Sequence, residues 1–218
     1  MNDVWTERAD AYRTSATHMR GDDLEAVVEM CEPAEGVKVV DVGSGGGHVA
    51  RRLRDERCQV VTVDPSPGMQ ADVLSAAENL PFADGSFDVA VTRIAAHHFA
   101  DVRAAVAEMA RVSSRLVVVE DTLFHSEQQE QAEKLRDPSH VRSYSEDEWK
   151  EMLTAEGLEV ERVEHFEKVH VLEEWLARTG CTGQQAERVR ELLAPLTTPD
   201  GKAWRDVKIV LKARKSQA

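Results

Sequence analysis

The sequence predicts an α/β fold in which a mostly parallel sheet carries helices on both faces. Short apolar runs rich in β-branched residues alternate with stretches whose apolar residues recur at helical spacing, a pattern typical of buried strands joined by amphipathic helices. A glycine-rich turn at 43–47 lies between the first such strand and its helix. Sheets of this kind bind ligands outside the carboxyl ends of their strands, so the turn marks a candidate site.

The first half of the chain contains two strand–helix units. Residues 37–42 and 59–63 are the apolar runs of two buried strands, and 48–56 has the helical spacing that joins them. A further helix is predicted at 21–31, before the first strand. Residues 65–79 form a short connection in which a third strand barely fits. The sequence therefore predicts seven strands, or six if this strand is missing.

The second half continues the alternation. Residues 87–92 and 116–119 are continuous apolar runs that predict two more buried strands. Asp101 is an N-cap residue for the helix between them, and the capping box of Ser145 and Glu148 begins a later helix. The parallel strands should end at the same edge of the sheet as the glycine turn.

Three further segments complete the chain. Segment 122–144 is a charged insertion with one predicted helix at 127–136, whose charged residues are expected to face solvent. Strand-like residues at 158–171 are followed by a helical insertion at 172–195. The basic stretch 202–215 contains the last strand, and we interpret it as an edge strand with its charges towards solvent.

Composition narrows the class of protein. At 218 residues the chain is long enough for one α/β domain, 1–218, and too short for two of ordinary size. A formal net charge of −13 argues against partners such as nucleic acid or an anionic membrane, which need a basic face. Three scattered cysteines predict neither a disulfide framework nor a metal site and favour a cytoplasmic location. No apolar run has the length of a signal-peptide core or a membrane span.

The glycine turn is predicted to bind a ligand rather than only to reverse the chain. Asp41 precedes Gly43, Gly45 and Gly47, and a second acid, Asp64, ends the next strand. Nucleotide-binding βαβ units place there the carboxylate that accepts hydrogen bonds from ribose hydroxyls. No Gly-Lys-Ser/Thr follows, so the turn is not a Walker loop, and the third glycine comes one residue early for a dinucleotide fingerprint.

The Asp-x-Gly-x-Gly-x-Gly form resembles motif I of the class I S-adenosylmethionine (SAM)-dependent methyltransferases. Further segments resemble the branch related to the ubiquinone/menaquinone-biosynthesis methyltransferases (methyltransferase type 11): DPSPGM at 64–69, AENLPFADGSFD at 77–88, AHHF at 96–99, and RDPSHVR at 136–142 with Tyr144. The resemblance implies a Rossmann-like fold and in-line transfer of a methyl group from SAM to a small-molecule acceptor. S-adenosylhomocysteine (SAH) would be the product, with no metal required.

The resemblance also implies a set of cofactor-binding residues. They are Tyr12, Asp41, Gly43, Ser44, Gly45, Gly47, Asp64, Pro65, Met69, Ala77, Glu78 and Arg93. In the family, the N-terminal segment, here 1–20, folds across the SAM pocket as a lid. The family usually has Asp where this chain has Ala76, before the Ala-Glu pair, and Asp72 is the alternative carboxylate for the adenine amino group.

The catalytic candidates are His97, His98, Glu120 and Arg142. His97 is the preferred general base, because the turn after strand 87–92 lies at the carboxyl edge and an imidazole accepts a proton near neutral pH. Carboxylates after the next strand, at Glu120 and Asp121, are weaker bases unless burial raises their pKa. Segments 1–20 and 122–144 are expected to close over the pocket, and Arg142 to border the acceptor with His140 and Tyr144.

Two interpretations of function remain open from sequence. The first is a SAM-dependent methyltransferase acting on a small molecule, as a monomer or homodimer. The alternative is a methyltransferase-fold protein that binds SAM weakly or not at all and serves as a non-methylating biosynthetic enzyme or binding partner. The altered adenine region keeps the alternative open, and C-, O- and N-methylation all occur on this fold.

Overall fold

The computed structural model describes residues 4–14 and 19–216, which are built around one seven-stranded sheet. The strands are β1 (Lys38–Val42), β2 (Gln59–Asp64), β3 (Val73–Leu74), β4 (Phe87–Arg93), β5 (Ser113–Thr122), β6 (Leu158–Val171) and β7 (Ala203–Lys215). Their order is β3-β2-β1-β4-β5-β7-β6. The first five strands of this order run parallel, and β7 is antiparallel to both of its neighbours. The predicted mostly parallel sheet is confirmed, with seven strands and only two residues in β3.

Eight α-helices accompany the sheet in the described part of the chain. They are α1 (Val4–Arg13), α2 (Asp22–Met30), α3 (His48–Asp55), α4 (Val102–Val112), α5 (Glu127–Arg136), α6 (Glu146–Ala155), α7 (Leu172–Ala177) and α8 (Gly183–Leu193). Three predicted starts are confirmed by local chemistry. Asp101 accepts a hydrogen bond from the N–H of Ala104, Ser145 and Glu148 form the capping box, and α5 has the predicted bounds.

Two core clusters show why helices cover both faces. Successive residues of a strand point to opposite faces, so Val40 packs with α4 and α6, whereas Val39 packs with α2 and α3. A third cluster joins α7, α8 and Trp204 beside the sheet. Each fully buried Val or Leu stabilises the folded state by about 1.5–3 kcal/mol relative to an exposed one. Packing on both faces therefore holds the strands, and with them the strand ends, in fixed positions.

The position of β7 corrects one expectation. β7 lies between β5 and β6, and β6 is the edge strand. The basic residues of β7 are paired rather than directed at water: Lys212 and Arg214 contact the carboxylates of Glu32 and Glu161. An interior strand tolerates this charge because acidic partners lie within hydrogen-bonding distance.

The charged face of α5 is the second correction. Glu130, Glu133 and Arg136 are all less than 9% exposed, although solvent exposure was expected for them. They lie against α7 and α8, beside the carboxyl edge of the sheet. That edge is the place at which open α/β sheets bind ligands.

Candidate functional site

The glycine turn after β1 takes a conformation that requires glycine. Gly43, Gly45 and Gly47 have φ angles of +67°, +48° and +70°, a region that side chains bearing a Cβ disfavour. The N–H groups of Gly43 and Ser44 both donate to the carbonyl of Val63, at 2.8 and 3.0 Å. The turn is therefore tied to the end of β2, and Gly47 serves as the N-cap of α3.

Two of these glycines face different surroundings. A Cβ on Gly43 would lie 2.8 Å from the Cβ of Ala95, so Gly43 is required by packing within the protein. A Cβ on Gly45 would meet only the carbonyl oxygen of Gly43, at 4.0 Å, and would otherwise enter open space. The turn thus leaves room beside Gly45 for a ligand to approach the backbone closely.

The two acids have separate tasks. The carboxylate of Asp64 accepts hydrogen bonds from the N–H groups of Gly45 (3.0 Å) and Ser66 (2.9 Å) and lines the space beside the turn. Asp41 is 2% exposed and accepts from the N–H of Ala50 at 3.1 Å. Burial raises the pKa of Asp41 to about 7. Asp41 therefore fastens α3 to β1, and Asp64 has carboxylate surface available to a ligand.

Two cavities meet at the carboxyl edge of the sheet. The glycine-loop cavity, about 130 Å³, is lined by Trp5, Tyr12, Gly43, Gly45, Asp64, Pro65, Met69, Ile94, Ala95, His98 and Phe99. The polar cavity, about 50 Å³, is lined by Tyr12, Ile94, His97, His98, Thr122, Glu133, Arg136, His170, Trp175, Arg178, Asp206 and Lys208. The two share three wall residues, so a ligand in one lies next to a ligand in the other.

Ile94 stands at the junction of the two cavities in a strained conformation. Its φ angle is +50°, which is unusual for a β-branched residue and costs of the order of 1–3 kcal/mol. Its N–H donates to the carbonyl of Glu120 at 2.8 Å, which extends the pairing of β4 with β5 by one residue. Such strain is concentrated at functional sites, and here it turns the chain sharply so that His97 and His98 face the cavities.

Helix α1 covers the glycine-loop cavity. The hydroxyl of Thr6 lies 3.2 Å from that of Ser66 and accepts from the N–H of Gly68 at 3.0 Å. Arg13 donates to the carbonyl of Gly68 at 2.8 Å, and Trp5 packs edge-on against the His98 ring. These contacts hold α1 against the loop after β2; of the segment 1–20 predicted as a lid, residues 1–3 and 15–18 lie outside the described part.

His97 is held by the carboxylate that follows β5. Its Nδ1 lies 2.5 Å from Oδ1 of Asp121, and its backbone N–H donates to Oδ2 of the same residue at 2.7 Å. Asp121 is fully buried; burial, the largest single effect, opposes its ionisation, but His97, the N–H of Thr122 and the charge of Lys208 together lower its pKa. An ionised Asp121 accepts the Nδ1 proton, and the Nε2 lone pair of His97 is left to accept another.

His98 has a different environment from its neighbour. Its Nδ1 donates to the carbonyl of Ser139 at 3.0 Å, and its ring lies between Trp5 and His97. Burial, together with the charge that His97 can carry, lowers the pKa of His98 to about 3. His98 is therefore neutral at physiological pH and forms a wall common to both cavities.

Comparisons with known proteins agree with this geometry. A family profile described as a methyltransferase domain matches residues 40–119. The chain is 31% identical over 209 residues to an uncharacterized methyltransferase, YcgJ of Bacillus subtilis, covering 85% of this chain and 82% of that protein. The chain belongs to the class I SAM-dependent methyltransferases.

Further relatives refine the assignment. A demethylmenaquinone methyltransferase of Beutenbergia cavernae is 36% identical over 98 residues, 39% of this chain and 41% of that protein. A solved structure of a putative methyltransferase from Bacillus halodurans, BH2331, superposes with a TM-score of 0.81 at 27% identity, covering 90% of this chain and all of that one. The methyltransferase fold and the resemblance to the menaquinone-type branch are thereby confirmed.

Several residues that the sequence assigned to SAM lie around the turn in this methyltransferase. The glycine-loop cavity contacts Tyr12, Gly43, Gly45, Asp64, Pro65 and Met69, and an adjoining space of about 50 Å³ contacts Asp41, Ser44 and Arg93. Ala77 and Glu78 lie apart from these walls: Ala77 packs in the core, and the Glu78 carboxylate accepts from the N–H of Asp101. Asp72 accepts hydrogen bonds from Thr62 and pairs with Arg54 at the amino end of β3, where it lines a separate space beside Ser44 and Gly45 of the glycine turn.

Glu120 and Arg93 form a closed ion-pair cluster. Arg93 contacts Glu120 and Asp23, each at 2.5 Å, and Lys168 contacts Asp23 at 2.8 Å. Glu120 is fully buried, and burial raises its pKa. Because Glu120 reaches neither cavity, we assign it to anchoring β4, β5 and α2 rather than to catalysis.

The remaining predicted residues are divided between the site and the surface. His140 lies with its ring centre 5.2 Å from that of His97 and contacts Glu130 at 3.1 Å. Tyr144 packs against Trp149 in the core, and Arg142 is half-exposed and paired with Glu148. His140 therefore supports the histidine pair, whereas the side chain of Arg142 points to solvent.

Sequence reasoning missed most of the polar cavity. Trp5, His170, Arg178, Asp206 and Lys208 line the two cavities but carry no motif. They come from α1, α7 and the antiparallel strands, and only the folded sheet brings them together. The one available signal was the cluster of charges in α5, which we had interpreted as a solvated face.

Ligand binding beside Gly45 has a direct test. Gly45→Val is expected to reduce SAH binding below detection, because the new side chain would fill the open space beside the turn. Gly36→Val is the matched control, since Gly36 also has a positive φ, +84°, and open space around its Cβ, but lies away from both cavities. Both variants should be titrated calorimetrically after their thermal unfolding has been measured. Normal binding by Gly45→Val would show that the turn is only structural.

The lowered pKa of His98 predicts a pH-dependent stability. Below pH 6.5 the unfolded chain binds a proton at His98 that the folded protein does not bind until about pH 3. This contribution to the free energy of unfolding therefore falls as the pH drops through that window. The raised pKa of Asp41 has the opposite effect and increases stability as the pH falls. The wild type must therefore be compared with a variant that differs only at His98.

In urea titrations between pH 7 and pH 4, we expect the wild type to lose stability relative to His98→Asn. Curves that run parallel across this range would contradict the environment described for His98.

Proposed function

We propose that this methyltransferase transfers the methyl group of SAM to a small molecule held between the glycine-loop and polar cavities, with His97 as the general base. The observation that carries the proposal is the His97–Asp121 pair. Its imidazole lines the polar cavity, and the next residue, His98, lines both. The fold and the relatives support the reaction class. The His97–Asp121 pair supports the position of the acceptor and the choice of His97 as the general base.

The residues of the glycine-loop cavity fit SAM. The open space beside Gly45 admits a ligand that approaches the backbone, and Asp64 offers a carboxylate suited to two neighbouring hydroxyls. Apolar side chains of Trp5, Met69 and Phe99 exclude water from the same space. When bound there, SAM supplies a methyl group already activated by a positively charged sulfur.

The protein must then align the acceptor and receive its proton. Alignment in a near-attack geometry supplies a large part of the rate enhancement in such displacements. Asp121 fixes the tautomer of His97, so that Nε2 accepts the acceptor's proton as the new bond to the methyl carbon forms. The neutral ring of His98 adds no charge that would repel a cationic donor.

Labelling tests the acceptor class. The protein is incubated with methyl-labelled SAM and a complete cell extract, which is then divided into acid-soluble small molecules, protein and nucleic acid. We expect protein-dependent label in the small-molecule fraction, together with SAH. Label confined to protein or nucleic acid would contradict the proposal.

The lid has its own expected result. Because α1 contacts the loop after β2 and Arg8 pairs with Asp137 at 3.1 Å, SAH binding should slow amide hydrogen exchange in 4–14 and 137–144 as well as in the glycine turn. Residues 158–163 of the edge strand β6, which pair with 211–215 of β7 away from the site, are the internal control and should not change. Slowing confined to the glycine turn would contradict a lid.

A further inference from the structure

The polar cavity has an unusual set of charges for so acidic a chain. Its walls include three cations, Arg136, Arg178 and Lys208, and two carboxylates, Glu133 and Asp206. These groups lie in a protein whose formal net charge is −13, and the carboxylate of Asp121, which contacts the wall residue His97, lies beside them. Whether an anion can bind in the cavity therefore depends on which of the three cations has no carboxylate partner of its own.

Two of the three cations are already satisfied. Lys208 contacts Asp206 at 2.7 Å and the hydroxyl of Thr122 at 2.6 Å. Arg136 donates to the carbonyl of Trp175 at 3.0 Å and lies over the ring of that residue, 4.0 Å from its centre. These two side chains are held in place by the protein itself.

Arg178 is the cation that lacks a partner. Its guanidinium forms no hydrogen bond or ion pair with residues 4–14 or 19–216. Burial, and then the nearby charge of Arg136, lowers its pKa, whereas Tyr12, Glu174 and Glu133 act in the opposite direction without forming a hydrogen bond or ion pair with it. A guanidinium in this position has its planar set of donors free to bind a carboxylate with two hydrogen bonds.

A second observation points to a polar ligand in the same cavity. Both ring nitrogens of His170 and Oδ1 of Asp206 are buried without a hydrogen bond within the described part of the protein. His170 Nε2 lies 3.1 Å from that oxygen as an ion pair, so Nδ1 of His170 is the atom left without a polar partner among the described residues. Buried polar atoms are nearly always satisfied, so unsatisfied ones facing a cavity indicate a missing partner.

We propose that the methyl acceptor is a carboxylic acid, and that Arg178 binds its carboxylate in the polar cavity. The inference rests on the proposed function and names its substrate class. A cavity of about 50 Å³ admits a group of carboxylate size, and the guanidinium of Arg178 has donors available to bind it. His97 lines the same cavity, so a carboxylate anchored at Arg178 places the remainder of the acceptor beside the base.

The experiment uses the intact protein loaded with SAH. Benzoate is the probe, benzamide is its neutral analogue, and phenylphosphonate is an anion of another shape. Each is titrated calorimetrically into wild type, Arg178→Gln, Arg178→Lys and Arg103→Gln. The last variant is the matched control, because Arg103 is exposed and pairs with Glu151 away from both cavities.

We expect wild type and Arg103→Gln to bind benzoate but not benzamide. Arg178→Gln should weaken benzoate binding by about tenfold or more, and Arg178→Lys by less, because a charge remains without the planar fork. Equal binding of benzoate and benzamide, no binding of benzoate, or unchanged binding by Arg178→Gln would overturn the proposal. Tighter binding of phenylphosphonate than of benzoate would overturn the choice of a carboxylate.

The titration with SAH separates this inference from the function on which it rests. All four proteins should bind SAH with the same affinity, since Arg178 does not line the glycine-loop cavity. Failure of wild type to bind SAH would remove the proposed function. Normal SAH binding with failure of the benzoate arm would remove only the assignment of the acceptor.

Discussion

His97→Asn is expected to lower the single-turnover rate of methyl transfer by about 10²–10⁴-fold at saturating SAM. Asparagine can still donate to Asp121, which preserves the local structure, but it has no group that accepts the acceptor's proton. The assay uses an acceptor from the labelling experiment and follows SAH formation in a rapid-quench apparatus. SAH affinity should be unchanged, because the loss concerns proton transfer alone.

His98→Asn is the matched control for this prediction. The His98 ring donates to a backbone carbonyl and is neutral, so its loss should disturb packing against Trp5 and weaken binding more than it slows the chemical step. Raising the pH should partly restore the rate of His97→Asn, because the acceptor then loses its proton to solvent. Full activity of His97→Asn combined with loss of activity in His98→Asn would show that the other ring is the base.

Asp64→Ala is expected to weaken SAM binding by about 1.5–3 kcal/mol, roughly tenfold to more than a hundredfold. A carboxylate that accepts from two hydroxyls makes charge-assisted hydrogen bonds, and here it also orders the turn through the N–H groups of Gly45 and Ser66. Calorimetric titration with SAM measures the change. Asp64→Ala should affect binding more than any other single carboxylate substitution.

Two further variants test which features of Asp64 determine the affinity for SAM. Asp64→Asn keeps the shape but replaces one acceptor oxygen with an NH2 group, so its loss of affinity reports the charge together with one of the two hydrogen bonds from Gly45 and Ser66. Asp72→Ala removes a carboxylate bound to Thr62 and Arg54 outside the glycine-loop cavity, and should leave SAM affinity unchanged. A larger effect of Asp72→Ala than of Asp64→Ala would show that the cofactor is held from β3 instead of β2.

Local signals in the sequence predicted the elements of this fold well. A cap such as Asp101, a capping box such as Ser145 with Glu148, and a glycine turn between strand and helix each act within a few residues. The local structure that each of these signals produces therefore does not depend on distant parts of the chain. The family resemblance covers the same segments, which is why the sequence predicts the sheet, the glycine turn and the position of Asp64 at the end of β2.

Contacts between segments that are far apart in the sequence could not be predicted from such local signals. The interior position of β7 depends on pairing with both β5 and β6. Arg136 and Arg178 meet only because α5 packs beside α7 and α8 in one apolar cluster. His97 was selected from its position after β4, but its contact with Asp121 depends on the pairing of β4 with β5. The substrate side of the site is therefore a product of tertiary structure.

The adenine side of the site departs from the family pattern for a local reason. The chain between β2 and β4 is short, β3 has two residues, and Ala76 stands where the family usually has a carboxylate. Under the proposed function, Asp64 and the glycine turn therefore supply most of the polar contacts to the nucleoside of SAM. Hence the cofactor affinity should depend strongly on Asp64.

Calorimetric titration of the wild-type protein with SAM and SAH tests the central claim most directly. The space beside Gly45 and the carboxylate of Asp64 predict saturable binding of both ligands at one site per chain, weakened by Asp64→Ala. We expect this result with the folded chain of 218 residues. Absence of heat from either ligand, confirmed by unchanged thermal stability in their presence, would contradict the account.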